Sequence, residues 1–287
     1  MYLDFKKPNF SQKQAVDRFL KEQDSMLCDQ TFGNLYCWSA VFDVTLAVTE
    51  GGFVARWGKR CALPIGPNRK AILEHLLDQG ETVFLGIDHR DKCWLEQTFP
   101  GRFTFQERRN NADYIYNREQ LCTLSGKKLA AKRNHIHYFE DHFQWETRPI
   151  TRENLVEVQA FNDAWCLQNN CNQNDSLQWE GCAVRRGLAA FEQLGYRGLA
   201  LYADGKLCAF TFGEPLGKEG FCVHAEKADS SVRGAYPMIN REFVRSLPPE
   251  ILWINREDDT GDEGLRKAKL SYRPELILMK YRGEIQL

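Results

Sequence analysis

Residues 198–228 constrain the fold of this chain more than any other stretch. GLALYADGKLCAFTFGE reads as two alternating strands joined by Asp204 and Gly205, a dipeptide suited to a tight turn whose backbone needs positive φ. After a GKEG loop a third strand, FCVHAEKA, begins at Phe221. Helical spacing runs from about Arg233 to Ser246, and ILWI, GLRKAK and ELILMKY then follow as strand, short helix and strand. Ahead of the hairpin, a helix capped by Thr151 carries Leu155, Val158, Phe161, Trp165 and Cys166 at helical spacing, and a second runs from about Leu177 to Leu194, stopped by Gly195. Strands and helices alternating in this way predict an α/β (α+β) chain whose mixed sheet is flanked by helices.

The first half repeats the pattern in worn form. Helix Gln12–Gln23 and a polar-aromatic segment around Thr31–Ala40 precede a hairpin turned by Glu50–Gly52, then strand CALPI, helix Asn68–Gln79, strand TVFLGI, helix Asp91–Gln97 and two further strands. In the polar-aromatic segment Asn34, Tyr36, Cys37 and Trp38 read as core, or as one wall of a cleft. Two tandem modules are expected, residues 1–140 ending in a basic helix and residues 141–287 carrying the site.

Composition excludes several classes. With 43% apolar and 27% charged residues the chain is neither disordered nor membrane-embedded, and 38 Lys and Arg against 39 Asp and Glu leave no global field for nucleic acid or lipid. No apolar run approaches the ~18 residues of a membrane span, and MYLDFKKPNFSQKQAVDRF lacks a signal-peptide core, so a cytoplasmic location is expected. Ten scattered cysteines without a CxxC pair read as reduced core residues. His135, His137 and His142 follow a helix without a carboxylate frame, and no metal site is expected there.

Charge is concentrated locally. Asn255–Glu263 holds one cation against five carboxylates, and Gly264–Pro274 holds four cations and no acid. Such a reversal directly after the apolar ILWI marks a polar site at the carboxyl end of a strand, where open α/β sheets bind ligands. A second cluster, Lys127, Lys128, Lys132 and Arg133, makes the helix after Ser125 either a phosphate-binding surface or a solvated face between modules.

The element order resembles that of the Gcn5-related N-acetyltransferase (GNAT) fold. Three strings sharpen the likeness: NADYIYNREQLCTLSGKKLAAKRNHIHYF from Asn111, HAEKADSSVRGAYPMINREF from His224 and NREDDTGDEGLRKAKLSYRP from Asn255. Together they resemble the C-terminal domain of phosphatidylglycerol lysyltransferases, in its stand-alone, soluble form. That family is built as tandem GNAT-like folds, and its lipid-modifying members move an aminoacyl group from aminoacyl-tRNA to a lipid. The chain begins almost at the domain, which argues against phosphatidylglycerol as the acceptor. The resemblance implies an acyltransferase of aminoacyl-transfer type, with tRNA as a candidate partner and lipid headgroups as candidate peripheral contacts. Acetyl-CoA is the alternative donor, although DSSVRGAYP is a poor pyrophosphate loop because Pro237 removes an N–H at the helix start. A third reading is a non-catalytic fold that binds tRNA, a lipid headgroup or a peptide.

Acyl transfer needs a base and donors for the developing oxyanion. Glu226, in a central strand where an acid is costly unless used or paired, is the candidate base or amine anchor. Simple alternation places His224, Glu226 and Ala228 on one face. Salt bridges to Lys227, Arg233 or Lys269 are the structural alternative for Glu226. Arg233, expected at a helix start, suits a phosphate or carboxylate. Asn255, Glu257 and Asp258 are candidates to hold an α-ammonium, or else one of these acids caps the next helix. Lys269 is a further substrate-binding candidate, and Tyr272 is a candidate general acid or a packing aromatic. Lys128, Lys132 and Arg133 are the candidate donor-phosphate contacts.

Overall fold

In the computed structural model, which describes residues 1–286, the first helix starts on a capping box. Asn9 Oδ1 accepts from the Ser11 N–H and Gln12 Oε1 accepts from the Asn9 N–H, satisfying backbone donors that a helix start leaves open. This helix, α1 (Phe10–Gln23), precedes α2 (Phe32–Trp38), β1 (Val44–Thr49), β2 (Gly52–Trp57), β3 (Arg60–Ala62), α3 (Arg69–Asp78), β4 (Val83–Ile87), α4 (His89–Thr98), β5 (Phe103–Glu107) and β6 (Asp113–Asn117). The polar-aromatic segment is thus a helix, capped by the Thr31 side chain. Helices α5 (Arg118–Thr123) and α6 (Ala130–His142) lead to β7 (Trp145–Pro149), α7 (Leu155–Gln168), α8 (Asp175–Ala189) and α9 (Phe191–Leu194). The predicted hairpin follows as β8 (Arg197–Ala203) and β9 (Lys206–Leu216), turned by Asp204 and Gly205 at φ of 50° and 76°. Then come β10 (Gly220–Ala228), α10 (Ala235–Ser246), β11 (Trp253–Asn255), α11 (Glu263–Leu270), β12 (Leu276–Leu278) and β13 (Tyr281–Ile285).

The strands form two mixed sheets, ordered β1-β2-β3-β4-β13-β5 and β12-β6-β11-β10-β9-β8-β7. Each contains a hairpin and a third antiparallel strand, followed through a helix by a parallel neighbour: β3 beside β4, β10 beside β11. The architectural repeat is therefore present although no residue-level repeat is visible.

ELILMKY, read as one strand, is divided between both sheets. Strand β12 pairs with β6, whereas β13 inserts between β4 and β5. The exchange is reciprocal, because β6 from the first half joins the second sheet beside β11. A cut at residue 140 consequently does not separate the sheets. At the crossing, buried Lys280 reaches Asp29 at 2.6 Å and Asp113 at 2.7 Å, so an ionic pin fixes the point where the chain changes layers.

The largest core cluster also spans both halves. Phe19, Phe32 and Phe53 share it with Leu188, Tyr196 and Phe212. Burying each such side chain is worth roughly 1.5–3 kcal/mol of transfer free energy. A second cluster packs α5, α6 and α10 on the second sheet, and a third packs α3 and α4 on the first. Close approach of α2 to the second sheet requires Gly33, since an added Cβ would lie 2.3 Å from Tyr196 Oη and 2.4 Å from Glu214 Oε1.

Candidate functional site

Strands β10 and β11 pair only from Gly220 opposite Trp253 to Cys222 opposite Asn255. Beyond them the register of β10 against β9 slips between Val223 and Ala225, a bulge at His224. Bulges re-aim side chains and end pairing, and here β10 runs on to Ala228 beside β9 while the chain directly after β11 keeps backbone hydrogen bonds to Tyr114 of β6, the other neighbour of β11. Two sets of polar contacts cross this parting, one on each face.

On the α10 face, Glu226 Oε1 accepts from Arg256 Nη2 at 2.8 Å and Glu226 Oε2 from Asn240 Nδ2 at 2.9 Å. The Arg256 guanidinium lies 4.8 Å from the Tyr272 ring centroid, and Lys132 Nζ lies 4.0 Å from the same ring. Burial pushes the Tyr272 phenol up, against the opposing pull of Arg256, and burial and Arg256 together lower the Lys132 ammonium. The structure thus brings together Glu226, Tyr272 and Lys132. Arg256 is the partner of Glu226, not Lys227, Arg233 or Lys269. Lys227 faces the opposite side, 3.4 Å from Glu180 and over Trp165. Arg256 Nη1 and Asn240 Oδ1 are buried and have no hydrogen-bond partner among the described residues.

The other face carries His224, so alternation fails across the bulge: His224 and Glu226 point to opposite sides. His224 Nδ1 lies 2.8 Å from Glu257 Oε1 and Nε2 lies 2.9 Å from Glu214 Oε1. Asn34 Nδ2 donates to Glu257 Oε1 at 2.8 Å, and the Gly33 N–H donates to Glu214 Oε1 at 3.0 Å. Burial alone would lower the His224 pKa, but Cys222, Glu214 and Glu257 raise it well above the ordinary imidazole value. His224 and Glu257 therefore tie the first-half helix α2 to the second sheet.

The remaining predicted residues brace the acidic turn or the basic helix. Asn255 donates to Met26 O at 2.7 Å and to Asp113 Oδ2 at 3.0 Å. Lys269 Nζ donates to the carbonyls of Arg256 and Asp258, and burial raises the Asp258 carboxyl to about 7. The cap of α11 is Asp262, not Glu257 or Asp258. Arg233 precedes α10 instead of starting it, because Gly234 at φ 93° is the cap residue, and its guanidinium stacks on Tyr138 at 4.2 Å. Lys128 is exposed, whereas Arg133 donates to the carbonyls of Leu124 and Gly126. His135, His137 and His142 are exposed on α6.

Arg256 and Asn240 were missed as site residues. Arg256 could have been found as the one cation in an acidic turn at a strand end, and Asn240 as a polar residue on the buried side of an amphipathic helix. Buried Asp259 accepts from Nε and Nη2 of Arg266, at 2.8 Å each, and from the Tyr114 hydroxyl. Burial would raise its pKa, but Arg266, Tyr114 and the Gly261 N–H hold it below the ordinary carboxylate value. The stability it contributes is present above the unfolded value of ~4 and is lost as pH falls further. Asp259→Asn is expected to melt lower than the parent at pH 7 and to lose less on acidification to about pH 2. Parallel thermal melts check this, and parallel slopes would contradict it.

The two mixed sheets flanked by helices define a fold class, the GNAT-like fold. An acetyltransferase of the GNAT family from Colwellia psychrerythraea superposes with a TM-score of 0.52 at 10% identity, over 100% of both chains. The chain belongs to the family described as phosphatidylglycerol lysyltransferase, C-terminal, which it matches over residues 20–282. A conserved protein of unknown function from Bacteroides thetaiotaomicron is 40% identical, with a TM-score of 0.93 over 99% of this chain and 100% of the other. L-PGS from Bacillus licheniformis superposes at 0.66 with 16% identity, over 97% and 92% of the two chains. An uncharacterised protein of Mycoplasmoides gallisepticum is 29% identical over 60% of this chain, a match spanning 56% of that relative's length. Family and fold together support acyl transfer as the type of reaction. Among the described residues no helix is long and apolar enough to cross a membrane.

Proposed function

We propose that the protein is an acyltransferase of aminoacyl-transfer type, moving an aminoacyl group from aminoacyl-tRNA to an amine or hydroxyl acceptor. One observation carries the reading: the two groups that grip Glu226 each keep one unpartnered buried atom, a donor on Arg256 and an acceptor on Asn240. Buried polar atoms are rarely left so in native proteins, and an aminoacyl ester offers the complement, an ammonium for Asn240 Oδ1 and Glu226 and a carbonyl oxygen for Arg256 Nη1. The guanidinium N–H then supports the oxygen as it gains charge during attack. Tyr272, protonated at neutral pH like any ordinary tyrosine, is the candidate proton donor to the leaving ribose oxygen. Lys128 and Lys132 meet donor phosphates.

Acetyl-CoA fits less well. Its pyrophosphate would approach the start of α10, where α6 already lies: a Cβ on Gly234 would be 2.3 Å from His135 O.

Calorimetric titration with acetyl-CoA, and with charged and uncharged bulk tRNA at two salt concentrations, tests the reading. Loss of labelled amino acid from tRNA is followed alongside, in the presence of primary amines or phosphatidylglycerol vesicles. Preference for charged tRNA, weakened by salt, and turnover reduced about 100-fold or more by Glu226→Gln are expected. Saturable acetyl-CoA binding without a tRNA response would replace this reading with an N-acyltransferase. Binding of tRNA without turnover would leave a non-catalytic binder.

A further inference from the structure

We propose that Cys222, His224 and Glu257 form a binding site for a divalent transition-metal ion, zinc foremost, beneath the parting of β10 and β11. The three residues bring a thiol sulfur, an imidazole nitrogen and a carboxylate oxygen within 4.8 Å of one another. Cys222 Sγ is 3.7 Å from His224 Nδ1 and 3.6 Å from Glu257 Oε1, and Nδ1 is 2.8 Å from Oε1. A tetrahedral zinc ion with ordinary bond lengths sets its sulfur about 3.6 Å from nitrogen or oxygen ligands, and nitrogen about 3.3 Å from oxygen. Two sides of the triangle already have the required length, and the third opens by about half an ångström.

The surroundings are those that metal ligands require. A ligating imidazole usually gives its second nitrogen to a carboxylate, and ligating carboxylates are themselves hydrogen-bonded. Here Glu214 takes His224 Nε2 at 2.9 Å and Asn34 donates to Glu257 at 2.8 Å. Cys222 is fully buried and the side chains of His224 and Glu257 are 6% and 21% exposed. Mixed sulfur, nitrogen and oxygen donors select zinc over magnesium or calcium. Binding forms bonds from the ion to Sγ, Nδ1 and Oε1, and releases to solvent the Cys222 thiol proton and the proton shared between His224 and Glu257. The ion would join β10 to the segment after β11, with supports from β9 and α2, and so fix the parting of the two strands from the face opposite Glu226. The inference is independent of which acyl donor the protein uses.

The test is anaerobic titration of the reduced, chelator-treated full chain with Co²⁺, followed by zinc competition. One equivalent with tetrahedral d–d bands and a thiolate charge-transfer band is expected, displaced by zinc. Cys222→Ser should remove the charge-transfer band, while Cys166→Ser/Cys171→Ser/Cys182→Ser should keep it. Glu214→Gln should weaken binding about 10- to 100-fold. Circular dichroism checks that each variant folds; if Cys222→Ser does not fold, Glu257→Gln and the unaltered chain decide the question. A six-coordinate spectrum, a charge-transfer band surviving Cys222→Ser, or no retained cobalt in the unaltered chain overturns the proposal.

Discussion

Glu226→Ala is expected to cost about 3–5 kcal/mol of folding stability, the usual consequence of removing one partner from a buried ion pair. The side chains of Glu226 and Arg256 are only 9% and 12% exposed, so truncation strands a guanidinium that already has one unpartnered nitrogen. Loss of activity in Glu226→Ala would therefore not by itself assign a catalytic role. Glu226→Gln is the cleaner probe. Its amide oxygen can still accept from Arg256, and rotating the Asn240 amide turns the unpartnered Oδ1 toward the new N–H. The double variant Glu226→Ala/Arg256→Met, which removes both charges, is expected to recover most of the loss. Urea midpoints of the parent, the two single variants and the double variant measure the coupling. A single alanine variant as stable as the parent would show that the pair is not the buried contact described above.

Lys280→Met should be at least as damaging at neutral pH. Lys280 is 2% exposed between Asp29 and Asp113, and although burial lowers its pKa, the two carboxylates raise it well above the usual lysine value. Removing the ammonium leaves buried Asp113 without its cation and facing the partly exposed Asp29, at a cost of about 3–5 kcal/mol. The deficit has a pH signature. Once the stranded carboxyls protonate they no longer repel, so the gap between variant and parent should narrow from pH 7 to about pH 5. Denaturant melts at both values test this, and a gap that is absent, or that widens on acidification, would mean that the crossing is not held by this charge.

What was legible in the sequence was what local chemistry decides. The Asp204–Gly205 hairpin, the helices over 155–168 and 235–246 and the polar turn after ILWI depend on residues close together in the chain. Long-range decisions were hidden. ELILMKY is uniformly apolar at its centre, and nothing in its composition says that Leu276–Leu278 and Tyr281–Ile285 choose different sheets; the division is visible only in the fold, where Lys280 sits against Asp29 and Asp113 at the crossing. Similarly, alternation assumes an unbroken ladder, and the bulge at His224 sent two predicted neighbours to opposite faces. The roles of Arg133 and Lys269 were obscured for another reason. A cation in a charge run looks the same whether it meets a ligand or folds back onto its own carbonyls, and both of these fold back.

The strand exchange also bears on the order in which the protein can be built. As the chain leaves the ribosome, β4 and β5 have no common neighbour and β6 lacks one of its two partners until residues 276–285 emerge. Pairing over such sequence distances is slow, and open strand edges invite wrong partners in the meantime. The first sheet therefore stays incomplete, with the edges of β4 and β5 unsealed, until a segment made more than 150 residues after β5 arrives, so the interval of synthesis is when these edges are open to wrong partners.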